Sequence, residues 1–558
     1  MKWRFLHICV SLLAPLLLCA NDTVFVSGAI QHDGLLDWKP VMYHSNSYLD
    51  FGVNWVKTPD SEQDSEPGKT TSFRSLRAKT RFELNQWPLP GYEEDFKGYG
   101  LSHLSLAAAF TWGEITVGDV YGQFGSGLTL NLYEDRALGI DGALRGAKIE
   151  VSPYRGIRLT ALGGKQRRYW NCYKDKAWGW NYKQDAALGA DIELNIDEWI
   201  PAMQNNGMTW CVGGSWVSKY EAEDTVLTII EDQWYRYRFP RWVGAGEVRT
   251  QLRCKGLDLL VEYARKANDP SVENNFDYRD GQALYISAGY SRKGLALLAQ
   301  VKYSDNMSFR SSHSAYYLAG RLNHMPAFAQ QHTYALASLY PYATQYTDGE
   351  WAFQAEVRYT APRKTQFGGK YGTTLKLSAA HIRGVASGGT WRIDTGTEGE
   401  YYTDVNIELN KRITKRWWLN AMLMYQTYNR QVIEGHEGLM RSGIGVIDTR
   451  VQINNNVSMR GELQYLFSPH YEGQWIFALY ELSLYQHWTL SGQWMYNIGY
   501  AAEATNKHYY TAGLTFNYGA HCANIGYTKT REGFNCSGGV CRYIPQMEGI
   551  VANYSFTF

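Results

Sequence analysis

The residues best equipped for chemistry are concentrated between positions 118 and 146. Gly118-Asp119-Val120-Tyr121-Gly122-Gln123-Phe124-Gly125-Ser126-Gly127-Leu128 leads to Tyr133-Glu134-Asp135-Arg136, then to Gly139-Ile140-Asp141-Gly142-Ala143-Leu144-Arg145-Gly146. This is not a phosphate-binding loop, because no Lys follows the glycines and no helix is predicted to begin there. Gly122, Gly125 and Gly127 instead allow positive φ and close backbone approach, so the chain can leave a wall and fold back on it. Folded inward inside a pore, Asp119, Tyr121, Phe124, Gly125, Gly127, Glu134, Asp135, Arg136, Asp141 and Arg145 would form a constriction. Its mixed charge would select by size and polarity without favouring one ion sign. The same glycines also suit a long external loop, and the sequence leaves both readings open.

The surrounding elements read as strands. From Trp488 the positions Trp488, Leu490, Gly492, Trp494, Tyr496 and Ile498 alternate with Thr489, Ser491, Gln493, Met495 and Asn497. The same dyad pattern sets Val405, Ile407 and Leu409 against Asp404, Asn406 and Glu408, and Leu463, Tyr465 and Phe467 against Glu462 and Gln464. The last eight residues, from Val551 to Phe558, alternate in this way and end on an aromatic residue. A period of two repeated in segments of roughly ten residues is the signature of a transmembrane β-barrel. The predicted fold class is therefore all-β, a transmembrane antiparallel barrel with short periplasmic turns and long extracellular loops.

At the N-terminus, Lys2 and Arg4 precede an apolar run over residues 6–19, followed by Ala20 and polar Asn21-Asp22, the layout of a secretory signal peptide. Residues 1–20 are read as the signal and 21–558 as one outer-membrane barrel domain. Bulky Leu18 before Cys19 argues against lipoprotein processing. Without Lys2 and Arg4 the formal net charge falls from +1 to −1, so no basic excess is available to hold nucleic acid. The mean hydropathy of −0.40 is uninformative for a barrel. The aromatic content of 15 % suits the interfacial girdles of one, and outer-membrane lipid is the first expected partner.

Turn signals near Trp112-Gly113, 153–156, Lys255-Gly256, 292–294, 411–415, 454–456, Tyr485-Gln486 and 517–519 pair the strands. Early candidates lie at 23–31, 45–56 and 72–86. Matching strand directions counted from both ends calls for one further strand at about 314–323, where Tyr316, Leu318, Gly320 and Leu322 alternate before a turn at His324-Met325-Pro326. The total is about 24 to 26. Wall side chains alone cannot fill so wide a barrel, so loops must constrict it or water must occupy it. With strands beginning so early, no separate N-terminal plug domain is expected. The polar stretch 58–68 reads as a solvated turn.

The run Asp119-x-Tyr-x-x-Phe-Gly-x-Gly-Leu128, the following Tyr133-Glu134-Asp135-Arg136 with Arg145-Gly146, and Cys536-Ser537-Gly538-Gly539-Val540-Cys541-Arg542 resemble an uncharacterised Bacteroidota outer-membrane β-barrel family. The resemblance spans most of the mature chain and implies fold, location and bacterial phylum, with no catalytic residues. Asp22-Thr23-Val24 and Asp224-Thr225-Val226 are also similar to the short O-glycosylation acceptor motif of that phylum.

Six cysteines remain after the signal. Cys536 and Cys541, separated by four residues that include Gly538-Gly539, are a local disulfide candidate, which fits an oxidising compartment. Metal binding is the weaker alternative, since two Cys without a nearby His complete no tetrahedral set. Pairing of Cys172, Cys211, Cys254 and Cys522 is left open. No paired-His motif or Gly-x-Ser-x-Gly elbow appears, and His381, His508 and His521 lie singly on strands, so neither catalysis nor a cofactor is expected. Arg77, Lys79, Arg81 and Glu83 share one parity, as do Glu356 with Arg358 and Arg460 with Glu462, predicting a polar lumen of partly paired ions. Two functions follow. One is a porin-like or gated channel for polar solutes such as a saccharide, with 119–146 as its constriction and loop aromatics such as Tyr169-Trp170 and Trp178-Gly179-Trp180-Asn181-Tyr182 near its mouth. The other is a closed scaffolding or binding barrel whose loops dock a surface lipoprotein or envelope assembly partner.

Overall fold

A strand that faces lipid on one side and a lumen on the other must alternate its side chains, and it must give every backbone donor a partner on a neighbouring strand. In the computed structural model the chain meets both demands with 24 antiparallel strands in one closed sheet. The structure describes residues 23–38, 41–57, 73–93, 96–167, 185–222, 227–230, 233–315, 318–386, 391–436, 438–499 and 507–558. The signal segment, the 58–68 stretch, Cys172, the aromatics at 169–170 and 178–182, and residues 22 and 224–226 of the glycosylation motifs lie outside them.

Closure comes from the first strand, Thr23–Trp38, pairing with the last, Met547–Thr557, in a register that sets Ala29 opposite Thr557 and Asp37 opposite Gly549. Phe558 extends the seam by exchanging two 3.0 Å backbone hydrogen bonds with Gly28. The outward parity carries the lipid belt. Val405, Ile407, Leu423, Ile447, Leu463, Leu490, Leu514 and Ile525 are all exposed large apolar residues, while Asp404, Asn406, Glu462 and Gln464 beside them are buried toward the lumen. Such a pattern is stable only with hydrocarbon outside the wall, which makes this an outer-membrane type of architecture.

Short turns do join strands at one end, as at Thr111-Trp112, Lys255-Gly256, Lys293-Gly294 and Lys415-Arg416. Two connections there are longer than expected: residues 196–207, which hold the short helices Ile196–Glu198 and Pro201–Asn205, and residues 362–372. At the other end one link is short, since Trp38 pairs directly with Val41.

The strand expected at 314–323 does not exist. Leu295–Asp305 pairs directly with Glu350–Ala361, from Leu295 opposite Tyr359 to Ser304 opposite Glu350, so the wall has no free edge between them. The described residues of 314–323 form turns, with one isolated bridge from Arg310 to Arg321 and a left-handed Gly320 at φ +68°. The described residues of 306–349 instead enter the lumen. Leu318 packs with Leu138, Ile140 and Val540, and Leu322 with Phe124 and Leu130, so apolar residues recur here to meet other lumenal segments without forming a strand.

Candidate functional site: the lumenal plug

The strand Gly113–Val120 reaches the lumen through Gly118. Its φ of +105° and a virtual Cβ only 2.1 Å from the Leu104 carbonyl exclude any side chain there, and the local irregularity turns Asp119 inward. Asp119 is buried. It accepts hydrogen bonds from the Leu104 amide at 2.6 Å, from Arg145 Nε at 3.0 Å and from Arg145 Nη2 at 2.8 Å. This bidentate pair pins the point where the chain leaves the wall to the point where it returns, at the strand Leu144–Tyr154.

Residues 121–143 lie between these points inside the barrel, in two parts. In the first, the two-residue strands Gly122–Gln123 and Asn131–Leu132 pair around a turn that buries Phe124, Leu128 and Leu130. Gly125 takes φ +51°, and a Cβ there would stand 2.2 Å from Glu247 Oε1, so any side chain would have to displace the wall carboxylates that hold the turn. Gly127, at φ +101°, closes the turn with its amide on the Phe124 carbonyl at 2.8 Å. The Ser126 amide donates to Glu262 at 3.0 Å and the Thr129 hydroxyl to Glu247 at 3.1 Å, so wall carboxylates hold this part.

The second part is an arm in which Glu134–Asp135 pairs with Ile140–Asp141. Arg136 donates to Asp50 at 2.8 Å, to Gln31 at 2.9 Å and to Glu134 at 2.9 Å. Arg81 links the same two carboxylates from the wall, at 2.6 Å to Asp50 and 3.0 Å to Glu134. Asp141 accepts the Tyr121 hydroxyl at 2.9 Å, the Ala143 amide at 3.1 Å, and Arg167, which also holds Glu83 at 2.8 Å. Burial acts to raise the Asp141 carboxyl, yet the Arg167 guanidinium and these hydrogen bonds hold it below its usual range. Burial also pushes the Tyr121 phenol well up. Asp135 serves its own turn, accepting the Leu138 amide at 3.1 Å. The ten sequence-picked residues thus fall into three groups: Asp119 with Arg145 at the wall; Phe124, Gly125 and Gly127 in the apolar turn; and Tyr121, Glu134, Asp135, Arg136 and Asp141 on or against the arm.

Sequence reasoning missed the larger occupant of the lumen. Leu336, Ala337, Leu339, Tyr340 and Tyr342 of the 306–349 segment pack into one buried cluster with Met422, Met424, Tyr428, Ile444, Trp475 and Phe477 of the wall. The available signal was those wall residues, which are apolar on the lumenal parity where water would demand polar ones. Three hydrogen bonds stitch the two lumenal segments together: the Asn131 amide to the Leu322 carbonyl at 2.7 Å, the His324 amide to the Gly127 carbonyl at 2.9 Å, and Asn323 Nδ2 to the Leu128 carbonyl at 3.0 Å.

A hairpin of Gly533–Ser537 and Val540–Ile544, bridged by the Cys536–Cys541 disulfide, caps both segments. Val540 is buried with Leu138, Ile140 and Leu318. The Gly539 carbonyl accepts the Thr344 amide at 3.0 Å, and the Cys536 carbonyl accepts Gln331 Nε2 at 3.1 Å. The remaining described cysteines, Cys211, Cys254 and Cys522, are free.

Two cavities flank the arm. One of about 610 Å³ opens toward the short-turn end and is lined by polar residues including Arg77, Lys79, His103, Thr116, Asp119 and Glu134. The other, of about 470 Å³, lies toward the long-loop end against Tyr92, Leu138, Gly139 and Arg542. Glu134 borders the first and Leu138 the second, so the arm is the partition between them. His381, His508 and His521 lie on the outward parity: His381 bonds Thr403 at 2.8 Å, His508 stacks on Tyr496 at 4.4 Å, and His521 bonds the Tyr554 hydroxyl at 2.9 Å. Among the described residues no cluster of three or more His, Cys, Asp or Glu is placed to hold a metal ion.

His324 of the lumenal segment makes the plug sensitive to acid. Burial, with Lys302 and Arg321 nearby, pushes its imidazole down to about 4 from an ordinary 6.5. The folded state therefore resists a proton that the unfolded chain accepts. Stability should fall as pH drops from about 6.5 to about 4, by an amount on the order of 3 kcal/mol, and His324→Gln should flatten that part of the profile. Urea midpoints followed by tryptophan fluorescence across this range test it, and an unchanged slope in the variant would refute it.

Among curated proteins none matches this sequence. Solved barrels are similar in fold at low identity. The siderophore receptor PirA from Pseudomonas aeruginosa is 8 % identical, with 96 % of this chain and 80 % of that chain covered at a TM-score of 0.41. The P pilus usher (PapC) translocation pore is 9 % identical, with 96 % and 99 % covered at 0.36. OccAB3 from Acinetobacter baumannii is 10 % identical, with 97 % and 99 % covered at 0.35. Residues 70–558 match the Family of unknown function (DUF6029), and the chain belongs to that family.

Proposed function

We propose that this barrel is a gated channel for polar solutes of saccharide size, held closed by its own lumenal segments, with the 134–141 arm as the gate. The observation that carries this reading is the arm itself. It is a thin hairpin with only two bridging pairs, it separates a polar cavity from the long-loop face, and its first strand and turn are fastened by ion pairs with Asp50 and Arg81 and a hydrogen bond to Gln31, while Asp141 on Arg167 and Leu138 and Ile140 beside Val540 hold the rest. The partly exposed contacts of Arg136 with Asp50 and Glu134, at the edge of the polar cavity, are cheaper to exchange for water than the packed apolar core around Trp475. Residues 306–349, buried in apolar contacts, would remain as the fixed part of the plug. The Cys536–Cys541 bridge supports an exported protein, and residues 1–20 are proposed as its signal. The 119–128 and 536–542 motifs are the support for a Bacteroidota source and for the surface of that outer membrane as its location.

Arg136→Ala removes the two charge-assisted hydrogen bonds, to Gln31 and Asp50, by which this side chain ties the arm to the wall. In planar bilayers the variant should show an open probability raised about tenfold or more over the parent, with a block graded by the size of added neutral sugars. Equal silence from parent and variant, each shown to be folded by heat-shifted electrophoresis, would refute the gate. The apolar cluster around Trp475 favours the second reading, a permanently closed barrel whose long-loop face docks a surface lipoprotein or envelope partner, and that silence would be its result.

A further inference from the structure

Arg542 closes the Cys-x-Gly-Gly-x-Cys-Arg motif and faces the 470 Å³ cavity at the long-loop end. Its Nε and Nη1 are buried without a hydrogen-bond partner, and among the described residues no carboxylate pairs with it. The guanidinium stands over the Tyr92 ring, 3.8 Å from the centroid. Arg side chains in the lumen elsewhere, such as Arg81, Arg136, Arg145 and Arg249, all hold carboxylates. A buried cation with unused donors is costly unless something supplies the counter-charge.

The walls say what that something is. Phe96, Leu138 and Leu318 are buried apolar residues bordering the cavity, and Phe534 and Tyr543 meet edge to face at 5.7 Å on another side. The volume lies in the range of small-molecule sites, and apolar walls with a few placed polar groups, here the Arg542 guanidinium and the Glu93 carboxylate, are the usual way such sites orient a ligand. A planar guanidinium fork matches a carboxylate. We propose that this cavity is a binding site for a small carboxylate with an aromatic or alicyclic body, the carboxylate on Arg542 and the ring among Phe96, Leu138 and Phe534.

The site reports to the arm. Tyr92, beneath Arg542, donates its hydroxyl to the Arg136 main-chain carbonyl at 2.8 Å, and Leu138 is shared by the cavity and the arm. The site itself does not depend on whether the barrel conducts.

The probe is 2-naphthoate, titrated into the full-length barrel in detergent by calorimetry with empty micelles subtracted, beside its neutral isostere 2-naphthamide. Naphthoate should bind saturably, and naphthamide about tenfold or more weaker. Arg542→Gln should lose naphthoate affinity by a similar factor without changing the weak affinity for naphthamide, while Arg542→Lys keeps part of it. Equal affinity for acid and amide, unchanged naphthoate binding in Arg542→Gln, or no saturable binding to folded protein would overturn the site. The acid-to-amide comparison on the parent protein decides the matter even if Arg542→Gln does not fold. Conductance plays no part in this readout, so failure here leaves the proposed channel standing, and a silent barrel leaves this site standing.

Discussion

Replacing Glu350 with Ala is expected to destabilise the folded barrel by about 3–5 kcal/mol, because it strands a buried ammonium. Lys302 and Glu350 face each other across adjacent strands with their side chains 0 % exposed and Nζ to Oε1 at 2.6 Å. Glu350 also accepts the Gln345 amide at 2.9 Å and the Tyr342 hydroxyl, both from the lumenal segment, so one carboxylate ties the plug to the wall. Lys302 reaches back to the Pro326 carbonyl of the same segment. A double variant, Lys302→Met with Glu350→Gln, removes both charges and keeps an acceptor for Gln345. It should recover most of the loss, since a well-packed neutral pair often matches a buried ion pair. Urea unfolding of the barrel in detergent, read by tryptophan fluorescence, measures both. A loss below about 1 kcal/mol for Glu350→Ala would mean that water reaches this pair and that the lumen is wet there.

Trp475→Ala should cost a similar amount, about 3–5 kcal/mol, by opening a cavity between wall and plug. Trp475 is fully buried on the inward face of Gln474–Leu484, packed with the Tyr340 and Tyr342 region of the lumenal segment and stacked at 6.1 Å on Tyr509. Its indole N–H has no partner, so Trp475→Phe should be mild, at about 1 kcal/mol or less, because it trades lost volume against an orphan donor. The contrast between the two variants separates packing from polarity. If Trp475→Ala unfolds at the parental midpoint while its lumenal segment becomes open to protease, the plug and wall are independent units and the apolar seam contributes nothing to barrel stability.

The strand order and the faces of the strands were readable because they are local. Val405, Ile407 and Leu409 against Asp404, Asn406 and Glu408 declare which side meets lipid without reference to any other part of the chain. The tight turns at Lys255-Gly256 and Tyr485-Gln486 were readable for the same reason, since Lys255, Tyr485 and Gln486 as well as Gly256 take left-handed φ values. Residues 314–323 misled because alternation reports two unlike surroundings and does not name them. Gly320 at φ +68° and the direct pairing of Leu295–Asp305 with Glu350–Ala361 decide against a strand.

The candidate site divides along the same line. Glycines at 118, 125 and 127 and the charges at 119–145 marked a segment capable of turning inward, and their partners were invisible. Arg136 meets Asp50, 86 residues earlier in the chain, and Asn323 meets the Leu128 carbonyl, 195 residues away. Sequence alone determined a membrane barrel of about two dozen strands, because lipid imposes its demand residue by residue on each strand. Only the tertiary structure decided what fills that barrel and where the Arg542 guanidinium stands without a carboxylate among the described residues, because a lumen's contents are held by contacts between segments distant in the chain, and no local period records them.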